Sequence, residues 1–341
     1  MLAIDGSTPP EQRDWLWHTP SWRAEACAWV SHRLADHGIR PAGPLEQLYT
    51  RPYATIMRLP TDQGVVWFKA NGPGYRHEAR VLRELRGWAG TRVPHVLAEE
   101  ADHGWFLTAD AGPPLSSILA TEPALSHWET VLSEYAALQV ESTAHLDTLK
   151  SLGVPDKSPA AMPGVLADVL ADDERLLGPD PGLDHGELDA LHAGMAEFNA
   201  QCVRLDAIGI AYTIQHDDLT PGNVLMPATG PVFIDWTDAC VAHPFASLTY
   251  PIRHVMQQFA VGSDSPEVRR VKDAYFEAWA GRHSRAELDE AAELAIRLAV
   301  AGKVTAWRSA LQGLDRSPLG PYFQYAEARW LRKLLSEGAS Y

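Results

Sequence analysis

The sequence predicts an α+β fold of two lobes, in which a small β-rich lobe is followed by a larger, mainly helical lobe. Short strand-like runs with turn signals are concentrated in the first third of the chain, and helical periodicity dominates the remainder. The 341 residues accommodate two lobes, and a composition of 46% apolar and 21% charged residues is typical of a globular protein. We divide the chain into an N-terminal arm and helix (1–44), a β-rich lobe (45–112) and a helical lobe (113–341).

The β-rich lobe is predicted from a hairpin, a helix and a second pair of strands. Residues 1–20 are polar and contain prolines, which favours a loose arm, and residues 22–37 carry an apolar stripe at helical spacing. The segment TIMRLP-TDQG-VVWFKA predicts a hairpin, because two apolar, partly β-branched runs flank a turn signal. After it, HEARVLRELRGWA predicts an amphipathic helix, and VPHVLAEEADHGWFLTAD predicts two strands joined by a turn.

The helical lobe contains one island of strand and loop. Long helical patterns, such as HWETVLSEYAALQVESTAHLDTLKSLG and GELDALHAGMAEFNAQCVRLDAIG, precede it, and the chain after it is again mostly helical. Within TIQHDDLTPGNVLMPATGPVFIDWTDA, short apolar runs alternate with Gly, Pro, Asn and Asp, which are typical of turns. We expect the catalytic loop in this island, at residues 214–238.

Composition excludes several other function classes. With 44 acidic and 29 basic residues, the net charge of −15 disfavours binding to nucleic acid or to an anionic membrane surface. This acidity keeps the protein soluble, and it is also compatible with a cationic substrate. The chain shows no signal peptide, no apolar membrane span and no zinc-ligand spacing, and its three cysteines are far apart. We therefore expect a cytoplasmic protein with reduced thiols.

The strongest chemical signal is the pattern H-x-D-L-x-x-x-N followed by an apolar run and an aspartate. It comprises His216, Asp218 and Asn223, and Asp235 ends the later run VFID. Phosphoryl transfer requires a carboxylate that orients and deprotonates the acceptor hydroxyl, and Asp218 is the candidate. It also requires metal-bound phosphates, and Mg²⁺ prefers oxygen ligands such as those of Asn223 and Asp235. A plain polar turn would not explain the whole pattern.

A second signal is Lys69, which closes the strand-like run VVWFK, and Glu78 near the start of the next helix. A lysine at a strand end can bind the phosphates of a nucleotide when a helix carboxylate holds it. Either residue alone would be an ordinary solvated side chain. Together with the pattern around Asp218, they predict a phosphate-positioning pair.

The chain resembles the aminoglycoside phosphotransferase/choline kinase-like family, which is related to the protein kinases. The resemblance covers residues 45–250 and rests on VWFKA, HEARVL, WFLTADAG, HDDLTPGNV and VFIDW. It implies a two-lobed protein-kinase-like fold, ATP or GTP as donor, Mg²⁺, and a hydroxyl-bearing small molecule as acceptor. By resemblance, Asp218 is the catalytic base, Asn223 and Asp235 bind Mg²⁺, and Lys69 with Glu78 positions the phosphates. Thr108 to Asp110 resemble the inter-lobe hinge that meets the nucleotide base.

The sequence departs from the family pattern at several positions. A G-x-G-x-x-G loop is absent near TRPYATI, so we expect Arg51, Tyr53 or Thr55 and the backbone to cover the phosphates. Asp217 stands where the family often has glycine, and Ala246 where it often has aspartate.

Several functional alternatives remain open at this point. Trp236 after Asp235 and the lack of an A-P-E segment favour a small-molecule kinase over a protein kinase. A nucleotide-binding pseudokinase that regulates a protein partner is a further alternative. An aminoglycoside, a sugar and an amino alcohol are all candidate acceptors, and the oligomeric state is open.

Overall fold

The computed structural model describes residues 2–5 and 15–336 of the chain. It divides into two compact units, Met1–Ala111 with Ser309–Asp315 and Gly112–Arg308 with Arg316–Tyr341. The first unit contains a six-stranded sheet, and the second is mainly helical. The predicted α+β architecture is therefore confirmed, whereas the three-part division at 44/45 and 112/113 stays a prediction.

The sheet of the first unit has the strand order β1-β2-β3-β4-β6-β5. Its strands are β1 (Ile4–Asp5), β2 (Leu45–Arg51), β3 (Ala54–Thr61), β4 (Gly64–Asn71), β5 (Val96–Glu100) and β6 (Trp105–Ala109). β1 and β2 are parallel, and the other neighbouring strands are antiparallel. The predicted hairpin is β3–β4, in which Thr61 pairs with Gly64, and the φ of +106° at Gly64 favours glycine.

Two helices accompany the sheet, α1 (Pro20–Asp36) and α2 (Glu78–Ala89). Trp22 and Val30 of α1 belong to one buried apolar cluster with Phe68 of β4 and Trp105 of β6. Because successive side chains of a strand point to opposite faces, Phe68 faces this cluster and Lys69 faces the other side of the sheet. Lys69 therefore lies on the same side of the sheet as Glu78, the first residue of α2.

The first 20 residues contain more structure than the predicted loose arm. Ile4 and Asp5 pair with Leu45 and Glu46. Trp17 is buried, and its indole N–H donates a hydrogen bond to the Arg51 carbonyl at 2.7 Å. Residues 6–14 of the predicted arm lie outside the described residues.

The described part of the mainly helical unit contains short and long helices and four short strands. The helices are α3 (Leu115–Thr121), α4 (Leu125–Ser142), α5 (Leu146–Ser151), α6 (Met162–Leu170), α7 (Asp173–Leu176), α8 (His185–Ala207), α9 (Thr249–Phe259), α10 (Pro266–Phe276), α11 (Arg285–Ala310), α12 (Pro321–Gln324) and α13 (Ala326–Ser336). The strands are β7 (Thr213–Gln215), β8 (Val224–Leu225), β9 (Val232–Phe233) and β10 (Cys240–Ala242). β7 pairs with β10 and β8 with β9, both antiparallel, so the predicted island of strand and loop forms two small ladders.

A buried polar network lies behind these ladders. The side-chain amide of Gln139 on α4 donates to Thr213 Oγ1 and to the Ile214 carbonyl, each at 3.1 Å. The hydroxyl of Ser247 donates to Gln215, and that of Tyr275 to Gln139. Buried polar groups are costly unless paired, so these bonds favour one arrangement of β7 relative to α4.

Among the residues that the structure describes, no helix is both long enough and apolar enough to cross a membrane. The three cysteines are free and buried. Burial raises the pKa of the Cys202 and Cys240 thiols to about 12, so both stay protonated at neutral pH.

Candidate active site

His216 holds the start of the catalytic loop, where the chain leaves β7. Its ring is fully buried, with Nε2 2.7 Å from the Ile234 carbonyl, and Nδ1 accepts from the Asp218 N–H at 3.3 Å. The His216 N–H donates to the Tyr135 hydroxyl oxygen at 2.8 Å. This pattern requires the neutral ring with its proton on Nε2, and burial lowers the pKa of His216 accordingly. His216 therefore fixes the backbone that carries Asp218.

Two aspartates of the site adopt left-handed backbone conformations, Asp217 with φ of 61° and Asp235 with φ of 63°. Glycine adopts this conformation without strain, and aspartate tolerates it better than most other residues. The backbone therefore explains why glycine suits the position of Asp217. What aspartate adds there is a carboxylate, which accepts a hydrogen bond from Lys157 Nζ at 3.0 Å in a buried ion pair.

Asp218 and Asn223 are joined directly. The side-chain amide of Asn223 donates to the Asp218 carbonyl and to Asp218 Oδ2, both at 2.9 Å. Burial raises the pKa of Asp218, the charges of Asp238 and Asp235 add to this, and that of Lys303 opposes it. The structure thus presents a carboxylate of raised basicity in a fixed orientation.

Asp235 lies next to Asn223 because of the β8–β9 ladder. Val224 pairs with Phe233, and the Ile234 N–H donates to the Asn223 carbonyl at 3.0 Å. Asp235 follows at once, and its Oδ1 accepts from the Thr237 hydroxyl at 2.7 Å. The predicted base and both predicted metal ligands are therefore brought together by one short hairpin.

The side chains of Asn223 and Asp235 suit a magnesium ion. The two bonds to Asp218 leave the amide oxygen of Asn223 without a hydrogen bond to any residue that the structure describes. The described residues contain no cluster of three or more His, Cys, Asp or Glu side chains that would hold a metal alone. Mg²⁺ commonly takes one or two protein oxygens and completes its shell with phosphate and water, so a carboxylate and an amide suffice.

Lys69 and Glu78 form a buried ion pair in the first unit. Lys69 Nζ lies 2.8 Å from Glu78 Oε2 and 3.0 Å from Oε1, and both residues are almost fully buried. The side-chain amide of Asn71 donates to Glu78 Oε2 at 2.7 Å and to the Tyr75 carbonyl at 3.1 Å. The predicted pair therefore meets, and Asn71 is a partner that sequence reasoning missed. Its position two residues after Lys69 on β4, on the same face, was the available signal.

Thr108 and Asp110 lie at the end of β6, as the resemblance predicts for the hinge. Thr108 is buried and pairs with Trp67 and Val96 on either side. Asp110 donates its N–H to the Val65 carbonyl at 3.1 Å, and its Oδ1 accepts from the Trp67 indole at 2.7 Å. These bonds order the strand end, and a contact with the nucleotide base stays a prediction.

The turn that replaces a glycine-rich loop is a tight connection between Arg51 and Ala54, which pair with each other. Thr55 is fully buried, and its hydroxyl donates to the Tyr49 carbonyl at 2.9 Å. We expected Arg51, Tyr53 or Thr55 to cover the phosphates. The hydroxyl of Thr55 is instead bonded within the sheet. The guanidinium of Arg51 stacks on the Tyr49 ring at 4.4 Å.

Lys303 on α11 is the main site residue that sequence reasoning missed. Its Nζ lies 3.8 Å from Asp218 Oδ1, 3.9 Å from Asp217 Oδ1 and 3.8 Å from Asp238 Oδ2, and the residue is only 8% exposed. Burial alone would lower the pKa of Lys303, but the surrounding carboxylates outweigh it and hold the pKa above its usual range. The signal was a lone charge in the apolar segment AVAGKVTAW.

A cavity of about 410 Å³ in the mainly helical unit adjoins the catalytic loop. Asp217 and Leu219 of the loop line it, and the other walls come from α9, α10, α11 and α13 and from the segments that precede α9 and α10. Tyr250, Ile296 and Trp330 give it an apolar surface. The acidic segment 168–174 does not line this cavity. Asp172 from that segment instead pairs with Arg308 and Arg175.

Comparison with solved structures confirms the two-lobed, protein-kinase-like fold. A Plasmodium vivax ethanolamine kinase superposes with a TM-score of 0.63 at 10% identity, over 98% of this chain and 97% of the other. A choline/ethanolamine kinase family protein from Mesorhizobium loti gives a TM-score of 0.58 at 17% identity, over 93% and 95%. APH(2")-IIia, solved with GDP and kanamycin, gives a TM-score of 0.58 at 15% identity, over 92% and 99%.

No curated protein sequence matches the chain at a significant level. The family described as "Phosphotransferase enzyme family" (APH) matches residues 51–288, a range that includes Lys69, Glu78 and the whole catalytic loop. Because this match covers well over half of the chain, the protein belongs to the phosphotransferase enzyme family, as its motifs predicted.

Proposed function

We propose that the protein transfers the γ-phosphoryl group of ATP or GTP to a hydroxyl group of a small molecule, with Mg²⁺ and with Asp218 as catalytic base. The observation that carries this proposal is the double hydrogen bond from Asn223 to Asp218, at 2.9 Å each, beside Asp235. It joins the Asp218 carboxylate to Asn223, and Asp235 lies next to Asn223 through the β8–β9 ladder. Membership of a phosphotransferase family supports the same reaction class.

Asp218 acts on the acceptor. Its Oδ2 is held by Asn223, which leaves Oδ1 to accept a hydrogen bond from the acceptor hydroxyl. As the acceptor oxygen forms its bond to the γ-phosphorus, the bond from that phosphorus to the β–γ bridging oxygen breaks, and the hydroxyl proton passes to Asp218. The raised pKa of Asp218 improves it as a proton acceptor. The nucleoside diphosphate leaves with the bridging oxygen.

Asn223 and Asp235 would hold Mg²⁺, which when bound neutralises negative charge on the donor phosphates. The left-handed backbone of Asp235 and its bond to Thr237 hold this carboxylate in one orientation. Strained backbone of this kind is common at functional sites, where preorganisation offsets its cost.

Lys69 would bind the nucleotide phosphates, with Glu78 and Asn71 keeping its ammonium in place. An ammonium has three N–H donors, so a lysine can contact a carboxylate and a phosphate at the same time. Backbone groups from Thr108 to Asp110 would meet the nucleotide base. The free, buried thiols accord with a reducing compartment, and we assign the protein to the cytoplasm in this proposal.

An aminoglycoside, a sugar and an amino alcohol are the acceptor classes to compare. No specific feature of the described residues favours a protein kinase or a regulatory pseudokinase. The set of Lys69, Asp218, Asn223 and Asp235 instead supports catalysis.

The test is Mg²⁺-dependent transfer of labelled γ-phosphate from ATP and from GTP to a panel of aminoglycosides, sugars and amino alcohols. Wild type is compared with Asp218→Ala and with Asp189→Asn, a control variant that removes a carboxylate at an exposed position of α8. We expect transfer by wild type and Asp189→Asn, and nucleotide binding without transfer by Asp218→Ala. Full transfer by Asp218→Ala would refute the assigned base, and an absence of nucleotide binding by wild type would refute the reaction.

A further inference from the structure

Some of the charged side chains that line the cavity beside the catalytic loop have an oppositely charged partner, and others do not. The cationic side chains are Arg253 on α9, Lys272 on α10, and Arg297 and Lys303 on α11, and the anionic ones are Asp217, Asp264 and Glu293. Counting them gives a nearly neutral cavity. Their partners and their burial show which charges remain for a ligand.

Both lysines of the cavity already have carboxylate partners. Lys272 Nζ lies 2.9 Å from Asp289 Oδ1, and Lys303 lies within the group of Asp217, Asp218 and Asp238. These contacts also engage Asp217, whose other oxygen binds Lys157. These residues therefore leave little net charge for a ligand.

The two arginines differ from the lysines. Arg253 and Arg297 are half-buried, and neither side chain forms an ion pair or hydrogen bond with a residue in the described part of the chain. A guanidinium stays charged at any physiological pH, so a partly dehydrated one gains most from an anionic partner. Its planar set of donors matches a carboxylate or a phosphate.

The two remaining carboxylates, Asp264 and Glu293, are exposed. An exposed carboxylate keeps its hydration, and water and salt screen its charge. Among the cavity's charges that have no partner in the described part of the chain, the two guanidinium groups are thus less hydrated than the two carboxylates, and they lie on different helices.

Within the proposed phosphotransfer, on which this step rests, we infer that the acceptor carries an anionic group, a carboxylate or a phosphate, in addition to its hydroxyl. Arg253 and Arg297 bind this anion, and the apolar walls around Tyr250, Ile296 and Trp330 contact the carbon skeleton. The cavity volume of about 410 Å³ suits a small molecule. A polycationic amino sugar would instead meet two unneutralised guanidinium groups.

Acceptors that share a skeleton and differ only in charge test this inference. One set is glucose, glucosamine, glucuronate and glucose 6-phosphate, and a second is glycerol, 3-amino-1,2-propanediol, glycerate and glycerol 3-phosphate. We expect an anionic member to exceed its neutral and cationic counterparts in kcat/KM by about 10-fold or more, as one charge-assisted contact provides. The carboxylate and phosphate members distinguish the two sources of the anion.

Variants of the arginines give the second measurement. Arg253→Gln and Arg297→Gln should lower kcat/KM for the anionic acceptor by roughly 10- to 100-fold, mainly through KM, and should lower it much less for the neutral counterpart. Arg297→Lys should retain part of the preference because it keeps the charge but not the planar fork. Arg269→Gln, at an exposed position of α10 that does not line the cavity, is the matched control.

If no member of either set is phosphorylated, binding of these compounds to the protein tests the inference. Thermal unfolding is then followed with glucuronate, glucose 6-phosphate or glucose at equal concentration and ionic strength. Stabilisation by an anionic member that Arg253→Gln and Arg297→Gln abolish supports the inference, and equal behaviour of wild type and variants overturns it.

The kinetic outcomes separate this inference from the proposed function. Asp218-dependent transfer that prefers neutral or cationic members, or that survives both arginine substitutions, overturns the anionic acceptor and leaves the phosphotransferase intact. Failure of wild type to bind ATP or GTP overturns the phosphotransferase, while the binding measurement still decides whether the cavity takes an anion.

Discussion

The side-chain amide of Asn223 donates to both the backbone carbonyl and the carboxylate of Asp218, at 2.9 Å in each case. One side chain therefore orients the proposed base, and its amide oxygen is the atom that we propose as a metal ligand. The two tasks need different atoms of the same amide. This separation allows them to be tested independently.

Replacing Asn223 should separate metal binding from base positioning. In Asn223→Asp an oxygen ligand remains, but the donor to Asp218 is lost and a like charge is added, so we expect kcat to fall about 100-fold with Mg²⁺ affinity retained. In Asn223→Ala both tasks are lost, and both kcat and Mg²⁺ affinity should fall. Steady-state kinetics across Mg²⁺ concentrations measure the two effects. Equal Mg²⁺ dependence in wild type and Asn223→Ala would contradict the assignment.

The Lys69–Glu78 pair should contribute to stability as well as to nucleotide binding. Glu78→Gln leaves the Lys69 ammonium buried beside a neutral partner, and breaking a buried pair in this way costs about 3–5 kcal/mol. We expect a lower free energy of unfolding in urea and a higher KM for the nucleotide.

Two comparisons make that prediction specific. The double variant Lys69→Met/Glu78→Gln should recover part of the lost stability, because it removes the ammonium that Glu78→Gln leaves beside a neutral amide, but it should not recover the nucleotide KM. Asp36→Asn, which breaks the exposed Arg33–Asp36 pair, should change stability by less than about 1 kcal/mol. If Glu78→Gln and Asp36→Asn lowered the free energy of unfolding by similar amounts, a special role for the buried pair would be contradicted.

Lys303 should affect turnover without affecting nucleotide affinity. Its Nζ lies 3.8 Å from both Asp218 Oδ1 and Asp238 Oδ2, so Lys303→Met removes a cation that these carboxylates share. Repulsion among these carboxylates should then displace Asp218, and we expect kcat to fall about 10- to 100-fold. Lys303→Arg keeps the charge and should restore part of kcat. A change confined to the nucleotide KM would place Lys303 in a different role.

The bond between Glu187 and Arg332 should make stability depend on pH. Arg332 donates to both carboxylate oxygens, at 2.6 and 2.9 Å, and these bonds, together with one from the Asp184 N–H, lower the pKa of Glu187 from 4.5 to about 2. A lowered folded-state pKa stabilises the protein above the unfolded value, and this stability is lost as the pH falls through the folded value.

The matching measurement compares unfolding of wild type and Glu187→Gln between pH 7 and pH 2. We expect a difference of about 1 kcal/mol at pH 7, as for the loss of a helix cap or a single ion pair, and a smaller difference as the pH falls below about 4.5. Glu197→Gln, at an exposed position of the same helix, should follow wild type throughout. A pH-independent difference would assign the effect to packing instead of charge.

Local patterns predicted the elements and the catalytic pattern well. The β3–β4 hairpin, α2 and the β5–β6 pair lie where alternation, helical spacing and turn signals placed them. These patterns are readable because each depends on neighbours within a few residues. The expectation of a loose arm over residues 1–20 was wrong in part, because β1 pairs with a strand that follows α1. Such pairing has no local signature.

The sequence by itself determined the α+β class, the phosphotransferase family and the pattern that joins His216, Asp218, Asn223 and Asp235. Those residues are neighbours in the chain, so spacing alone reveals them. Only the tertiary structure decided which cations neutralise the loop, since Lys157 lies 60 residues before Asp217 and Lys303 reaches it from α11. It alone also showed that Arg253 and Arg297 line one cavity without partners among the described residues. Charge neutralisation depends on distance and burial, and both arise from packing between distant segments.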